Sequence, residues 1–227
     1  GNYTSSSITI GSFYMENYSN DDGFLIKYDK KGEMEYLKSI GGDGYDYIKS
    51  IDENENESCL IAGSTSSNEI KLGNNKRILN VGSYDGIILE FNKDEISNPV
   101  VTQIEGIAGR YGQQIYSMEN TEDGGYIVGA ALEGESIDLG NGIYYTSDSK
   151  WDSSAAIIKY NAENQCEWVK AIDPKYDSKI LKVIQTNDDN YVAIGYYNYG
   201  GTDNDKEINL PGNHGSFVIK YDQTGNI

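Results

Sequence analysis

The chain is poor in the residues that most reactive centres need. Among its 227 residues there is one histidine, His214, and there are two cysteines, Cys59 and Cys166. A zinc site built from imidazole and thiolate has almost nothing to draw on. A Ser-His-Asp triad would have to use His214, and nothing around it resembles a nucleophile elbow. A disulfide needs its two Cα atoms within about 7 Å. The two cysteines fall in strands of different repeats, so both are read as small buried hydrophobes, and their number does not decide the redox compartment. No apolar run approaches the roughly 20 residues of a membrane-spanning helix. No signal peptide is visible, and Gly1 is read as a scar of tag removal with the natural N-terminus missing. Positive charge is also scarce, with 18 Lys and Arg against 36 Asp and Glu and a formal net charge of -18. Such a chain repels phosphate backbones, so nucleic acid is not an expected partner. The acidity is read first as solubility.

Glycine and tyrosine are abundant, at 26 and 20 residues, while apolar content is only 37%. That mixture suits many short, half-exposed strands joined by polar turns. No helical period competes with it. The stretch Gly23-Phe-Leu-Ile-Lys-Tyr-Asp reads as a strand, and it recurs as Gly86-Ile-Ile-Leu-Glu-Phe-Asn, Ala155-Ala-Ile-Ile-Lys-Tyr-Asn and Ser216-Phe-Val-Ile-Lys-Tyr-Asp. Tyr28, Phe91, Tyr160 and Tyr221 are thus equivalent, spaced 63, 69 and 61 residues apart. Self-similarity on this scale marks a repeat architecture.

Around this strand the unit has four strands, A to D. The A strands are expected at 47–52, 114–119 and 179–184. The B strands are expected at Ile8–Phe13, Leu60–Thr65, Tyr126–Ala131 and Val192–Tyr197, aligned on Gly11, Gly63, Gly129 and Gly195. The D strands are expected at Met34–Ile40, Val100–Ile104 and Cys166–Ile172. In each C strand one face is apolar throughout (Phe24, Ile26 and Tyr28 in the first), while the other carries one apolar and one charged residue. Sheets of this kind are buried on both faces near one end and wetter at the other. The expected fold is all-β, a β-propeller of four-stranded antiparallel blades. Three to four blades are expected, cut from a longer propeller, within one region over 1–227. Their approximate bounds are 1–40 (without strand A), 47–105, 114–172 and 179–227 (without most of strand D).

The run Asp22-Gly-Phe-Leu-Ile-Lys-Tyr-Asp, then Gly32, then Tyr36-Leu-Lys-Ser-Ile-Gly-Gly, then Asp46-Tyr47, with Gly125-Tyr-Ile-Val-Gly as the clearest following strand, resembles the bacterial β-propeller repeat of the SBBP type. The resemblance covers nearly the whole chain. It departs after strand D, where Gly41-Gly42 of the first copy becomes Glu105-Gly106 and Asp173-Pro174 in the next two. It implies a secreted or cell-surface protein of a family without a known catalytic motif.

Strand order sends the B–C and D–A connections to one end of the sheets. The long connections are all B–C: Ser64–Asp85, Ala130–Ser154 and Tyr196–Gly215, with a shorter one at Ser12–Asp22. Long loops on one face of a rigid scaffold are where function usually sits. Six rings in them form the candidate ligand-binding set: Tyr84, Tyr144, Tyr145, Trp151, Tyr197 and Tyr199. Tyr45, Tyr111 and Tyr176 join them from D–A connections. Exposed Tyr and Trp offer stacking area to proteins or sugars; the competing reading is that they cap the hydrophobic ends of the blades. The recurrent Ile70-Lys-Leu-Gly, Ile137-Asp-Leu-Gly and Ile208-Asn-Leu-Pro-Gly is read as a staple packing back on the blade. Trp168 is read as packing. The Asp-Gly pairs are read as turns, since no calcium-loop spacing is present, and no metal or cofactor is expected. The expected function is a non-catalytic binding or scaffold module, extracellular or surface-bound. Its expected partners are a protein or a carbohydrate and, through an open sheet edge, another copy of itself. The alternative is a glycan-active hydrolase using carboxylates near the axis.

Overall fold

A computed structural model describes residues 1–53, 58–73, 76–92, 101–147, 151–174, 176–199, 201–203 and 208–227. The chain is all-β, without a helix among the described residues. In order the strands are β1 (Asn2–Tyr3), β2 (Ser7–Ile10), β3 (Phe13–Glu16), β4 (Asp22–Tyr28), β5 (Met34–Ile40), β6 (Asp46–Glu53) and β7 (Ser58–Thr65). There follow β8 (Glu69–Gly73), β9 (Lys76–Leu79), β10 (Asp85–Asn92), β11 (Val101–Ile107), β12 (Gln113–Asn120), β13 (Tyr126–Glu133), β14 (Ser136–Asp138) and β15 (Tyr144–Thr146). The last are β16 (Ser153–Tyr160), β17 (Cys166–Pro174), β18 (Ser178–Gln185), β19 (Tyr191–Asn198), β20 (Gly201–Asp203) and β21 (His214–Tyr221).

Four antiparallel sheets follow one another along the chain. Their orders are β1-β4-β5, then β6-β7-β10-β11, then β12-β13-β16-β17 with β20 added beside β17, then β18-β19-β21. Consecutive sheets pack face to face, and each interface has its own core. Ile40 of the first sheet meets Ile61, Ile87, Leu89 and Phe91 of the second. Leu60, Ala62 and Ile88 of the second meet Val128, Ala130 and Ile158 of the third. Ile127, Ala155 and Ile157 of the third meet Ala193, Phe217 and Ile219 of the fourth. Alternation along each strand feeds both cores at once, which is why these strands read as near-continuous apolar runs.

The turns repeat at atomic detail. In three C–D turns the first residue, Asp29, Asn161 or Asp222, accepts the backbone amides two and four residues on with one side-chain oxygen, at 2.8–3.0 Å. The fourth residue lies in the left-handed region, as Gly32, Asn164 or Gly225. At the A–B turns Gly124 and Asp189 take that place.

Two expected alignments are corrected. Ile8–Phe13 is not a B strand: Ile8–Ile10 pairs with Phe13–Met15 in a separate hairpin, and the short β1 pairs with β4 instead. The true relatives of Ile8-Thr-Ile-Gly11 are Ile70-Lys-Leu-Gly and Ile137-Asp-Leu-Gly, which open the hairpins β8-β9 and β14-β15. These hairpins fill the wedges between sheets. Ile70 enters the first interface, and Ile137, Leu139 and Tyr145 enter the second. Ile208 and Leu210 pack against the third, in agreement with the staple reading. The second correction concerns Gly129. Gly63 pairs with Ile87 and Gly195 with Phe217, but Gly129 pairs with Ile157, one residue further along the C strand. A Cβ on Gly129 would strike Ile180 of the next sheet, whereas one on Gly63 would strike the Tyr47 carbonyl of its own. The 66-residue spacing of these glycines reflects a slipped alignment; Tyr126 and Tyr191, which pair with Tyr160 and Tyr221, are the equivalent residues.

The cysteines are not joined in a disulfide; Cys166 is buried and Cys59 half-buried. On β16 the alternation would place Lys159 in solvent, yet it is fully covered. Its Nζ reaches Asp123 at 2.8 Å and Glu167 at 3.3 Å and donates to the Tyr160 carbonyl at 2.8 Å.

Candidate binding site

The end of the sheets that carries the D–A and B–C connections is built on buried carboxylates. Asp22 and Asp85 stand at the start of β4 and β10 and accept the amides of Tyr18 and Val81, each four residues back, at 2.7 Å. Asp85 also accepts the Gly109 amide at 3.3 Å. Asp46, at the start of β6, accepts from Gly42 at 2.8 Å, from Ser67 Oγ at 2.6 Å and from Thr65 Oγ1. Burial pushes the pKa of all three above the usual carboxylate range, against the pull of these hydrogen bonds. They hold down the loops and present no reactive group to solvent.

Above them lie three ring clusters, one on each of the last three sheets. In each, a ring from a D–A connection or the strand it enters meets a ring from a B–C connection. Tyr45, Tyr47 and Tyr84 stack in series, with centroids 6.5 Å apart and planes 20° apart at each step. Tyr111 meets Trp151 edge-on at 5.2 Å, with the Arg110 guanidinium 5.8 Å from the Tyr111 ring. Tyr176 meets Tyr199 at 4.7 Å, and Tyr199 meets His214 at 5.6 Å.

Of the six rings expected from the sequence, Trp151 is 72% exposed, Tyr144 and Tyr199 are also exposed, and Tyr84 is half-buried. Two are corrected. Tyr145 is 1% exposed in the core between the second and third sheets, because alternation in the short β15 turns it inward between Tyr144 and Thr146. Tyr197 is buried in the third interface and donates its hydroxyl to the Pro211 carbonyl at 2.7 Å. Both rings pack in the cores between neighbouring sheets and are not on the surface. Trp168 packs on Tyr191 and Tyr221 and donates its indole N–H to the Gln223 carbonyl. His214 lies against Tyr199 and Asn198, neither of which makes it part of a triad.

The sequence reading missed the acids beside Trp151 and the rings on the A strands. Glu133 ends β13 and accepts the Gly112 amide, next to Tyr111, at 3.2 Å. Burial raises its pKa, and the charges of Asp177 and Asp152 raise it further. Asp177 in turn accepts the Ser153 amide and hydroxyl at 3.2 and 3.1 Å. The Trp151–Tyr111 pair therefore lies in sequence and space among three carboxylates. On the A strands, Lys179 Nζ sits 4.7 Å from the Tyr116 ring and 5.1 Å from the Tyr196 ring, and Lys49 sits 5.0 Å over Tyr47. The signal was available as alternation, with Tyr47 and Lys49, or Gln114 and Tyr116, on the face of the A strand that does not enter a core. No group of three or more His, Cys, Asp or Glu among the described residues is arranged to hold a metal ion. Chemically, this rim offers flat apolar surface bordered by hydrogen-bond acceptors.

Compared with known proteins, the chain matches no family model and no curated protein.

Proposed function

We propose that the four sheets are successive blades of a β-propeller and that the chain is a non-catalytic binding module of a secreted or surface-anchored bacterial protein. Of the two ligand classes the loops admit, protein and glycan, the rim suits a glycan best. The observation that carries this is the Tyr111–Trp151 pair, with Trp151 72% exposed beside Glu133, Asp152 and Asp177. Rings of this kind stack on the C–H faces of a sugar, while carboxylates accept its hydroxyl protons. Supporting it, the face-to-face packing of repeated antiparallel sheets matches the propeller pattern. The test is a glycan array probed with the labelled chain, including mucin and bacterial cell-wall sugars. A specific hit supports the reading; a blank with folded protein counts against it.

A second reading, glycoside cleavage, draws on the raised pKa of Glu133 near two other acids, the setting a general acid requires. It predicts turnover of a glycoside panel that Glu133→Gln abolishes.

A further inference from the structure

One hydrogen bond recurs where each D–A connection meets the end of a B strand. The amides of Ser66, Glu133 and Asn198 donate to the carbonyls of Tyr45, Gly112 and Asp177 at 2.8, 3.0 and 2.8 Å. This bond fixes a common frame on the last three sheets. The residue before each acceptor is Gly44, Tyr111 or Tyr176, and the residue after each donor is Ser67, Gly134 or Tyr199. In the second sheet neither place holds a ring, and the Gly44 amide donates to Ser67 Oγ at 2.8 Å. In the fourth both hold rings, with Tyr176 against Tyr199 at 4.7 Å. In the third, Tyr111 lies over Gly134, where an added Cβ would come within 3.1 Å of its ring. There Trp151 supplies the second ring from further along the connection. Neighbouring sheets thus carry one ring pair built twice. Trp151 is 72% exposed, Tyr176 53% and Tyr199 42%. Asp177 lies between the pairs. It follows Tyr176 in the chain, its charge acts on Glu133, and its Oδ1 accepts from Ser153, two residues past Trp151.

We propose that the two ring pairs bind one saccharide chain jointly, so that the ligand of this rim is a linear oligosaccharide spanning the third and fourth sheets and not a single sugar. The inference rests on the glycan reading above and adds a length to it. Each exposed pair covers the C–H face of a sugar ring. Asp177 Oδ2, without a partner among the described residues, accepts a hydroxyl proton between them. Ser117 on β12 ties the third sheet to Val183 on β18 of the fourth, so the spacing of the two pairs is rigid. A rigid pair of like subsites suits a polymer of regular repeat. Binding at one pair makes the second contact intramolecular, and affinity then rises with effective concentration.

Isothermal titration calorimetry of the whole chain tests this with the disaccharide and the hexasaccharide of the chitin, cellulose and mannan series. The hexasaccharide of one series should bind about a hundredfold more tightly than its disaccharide, one molecule to each chain. Tyr176→Ala removes an exposed ring, and Tyr199→Gly puts glycine where φ is 58°, so both variants should fold. Each should bring the affinity for the hexasaccharide down to that for the disaccharide. Equal affinity for the two lengths, two hexasaccharides to each chain, or hexasaccharide binding that neither variant weakens would overturn the proposal and leave the glycan reading standing. No heat from any sugar would overturn both.

Discussion

The Ser50 hydroxyl accepts the Met118 amide at 3.1 Å and donates to the Met118 carbonyl at 3.0 Å, so one side chain ties the A strand of the second sheet to that of the third. The contact recurs one sheet on, where Ser117 Oγ accepts the Val183 amide at 3.3 Å. Two residues further along, Asp52 accepts from Asn120 at 2.8 Å and Glu119 from Gln185 at 2.9 Å. A strands of neighbouring sheets do not share a ladder, so these side chains satisfy backbone groups that the edge would leave bare. Ser50→Ala and Ser117→Ala should each lower stability by about 1–3 kcal/mol, the cost of an unpaired buried group. Urea unfolding checks this, and Ser50→Ala should be the more costly because it strands two groups.

Two turn residues are predicted to be improvable. Asn164 and Asp189 sit at φ of 60° and 59° where Gly32, Gly225 and Gly124 occupy the equivalent turns. The left-handed conformation costs an L residue about 1–2 kcal/mol, against a glycine entropy cost of about 0.5–1 kcal/mol. Asp189→Gly should therefore raise stability by about 0.5–1 kcal/mol, seen as a higher melting temperature.

Stability should peak in mild acid. Asp22, Asp46, Asp85 and Glu133 have pKa values raised by burial, so their contribution is full below the unfolded-state value and is lost as pH rises through the folded one. Asp123 is held low because Lys159, Thr121 and the Gly125 amide outweigh its burial. Asp222 is lowered to about 2 by the Asn226 amide and Thr224, and Asp188 is lowered by Lys220. Their contribution is present above the unfolded-state value and is lost as pH falls. The melting temperature should rise as pH is lowered toward the unfolded aspartate value near 3.9, as the raised groups protonate, and should fall below it, as the lowered groups lose their charge. Relief of the -18 net charge as carboxylates begin to protonate acts in the same direction as the raised groups.

The buried and exposed rings should separate cleanly. Tyr145→Ala opens a cavity between the second and third sheets and should cost about 3–5 kcal/mol. Trp151→Ala loses the edge-on contact with Tyr111 and should cost about 0.5–1.5 kcal/mol. Circular dichroism melts of the two variants distinguish a core ring from a surface one.

The repeated sheets were legible because the C strand is the most uniform element. Its alternation is fixed by two cores at once, so Phe24, Ile87, Ala156 and Phe217 align without ambiguity. The B strands were harder. An Ile-x-Ile-Gly run at 8–11 fits a sheet strand and a wedge hairpin equally well, and only its pairing with Phe13–Met15 decides. Gly129 misled because glycine fits either face of a crowded strand. The ring set was half legible. Tyr144 and Tyr145 are adjacent, and which of them faces the core depends on the register of a three-residue strand. Glu133 lay hidden among 36 acids, since its neighbours Asp152 and Asp177 come from other connections.

The most direct test of the binding account uses Trp151 itself. The chain has two tryptophans, so Trp168→Phe leaves Trp151 as the only one. The fluorescence of that variant would be titrated with soluble chitin, mannan, cellulose and peptidoglycan oligosaccharides. The account predicts a saturable blue shift with one class of sugar as the exposed indole is covered, and its loss on Glu133→Ala. A spectrum unmoved by every sugar, in protein that melts normally, would contradict it.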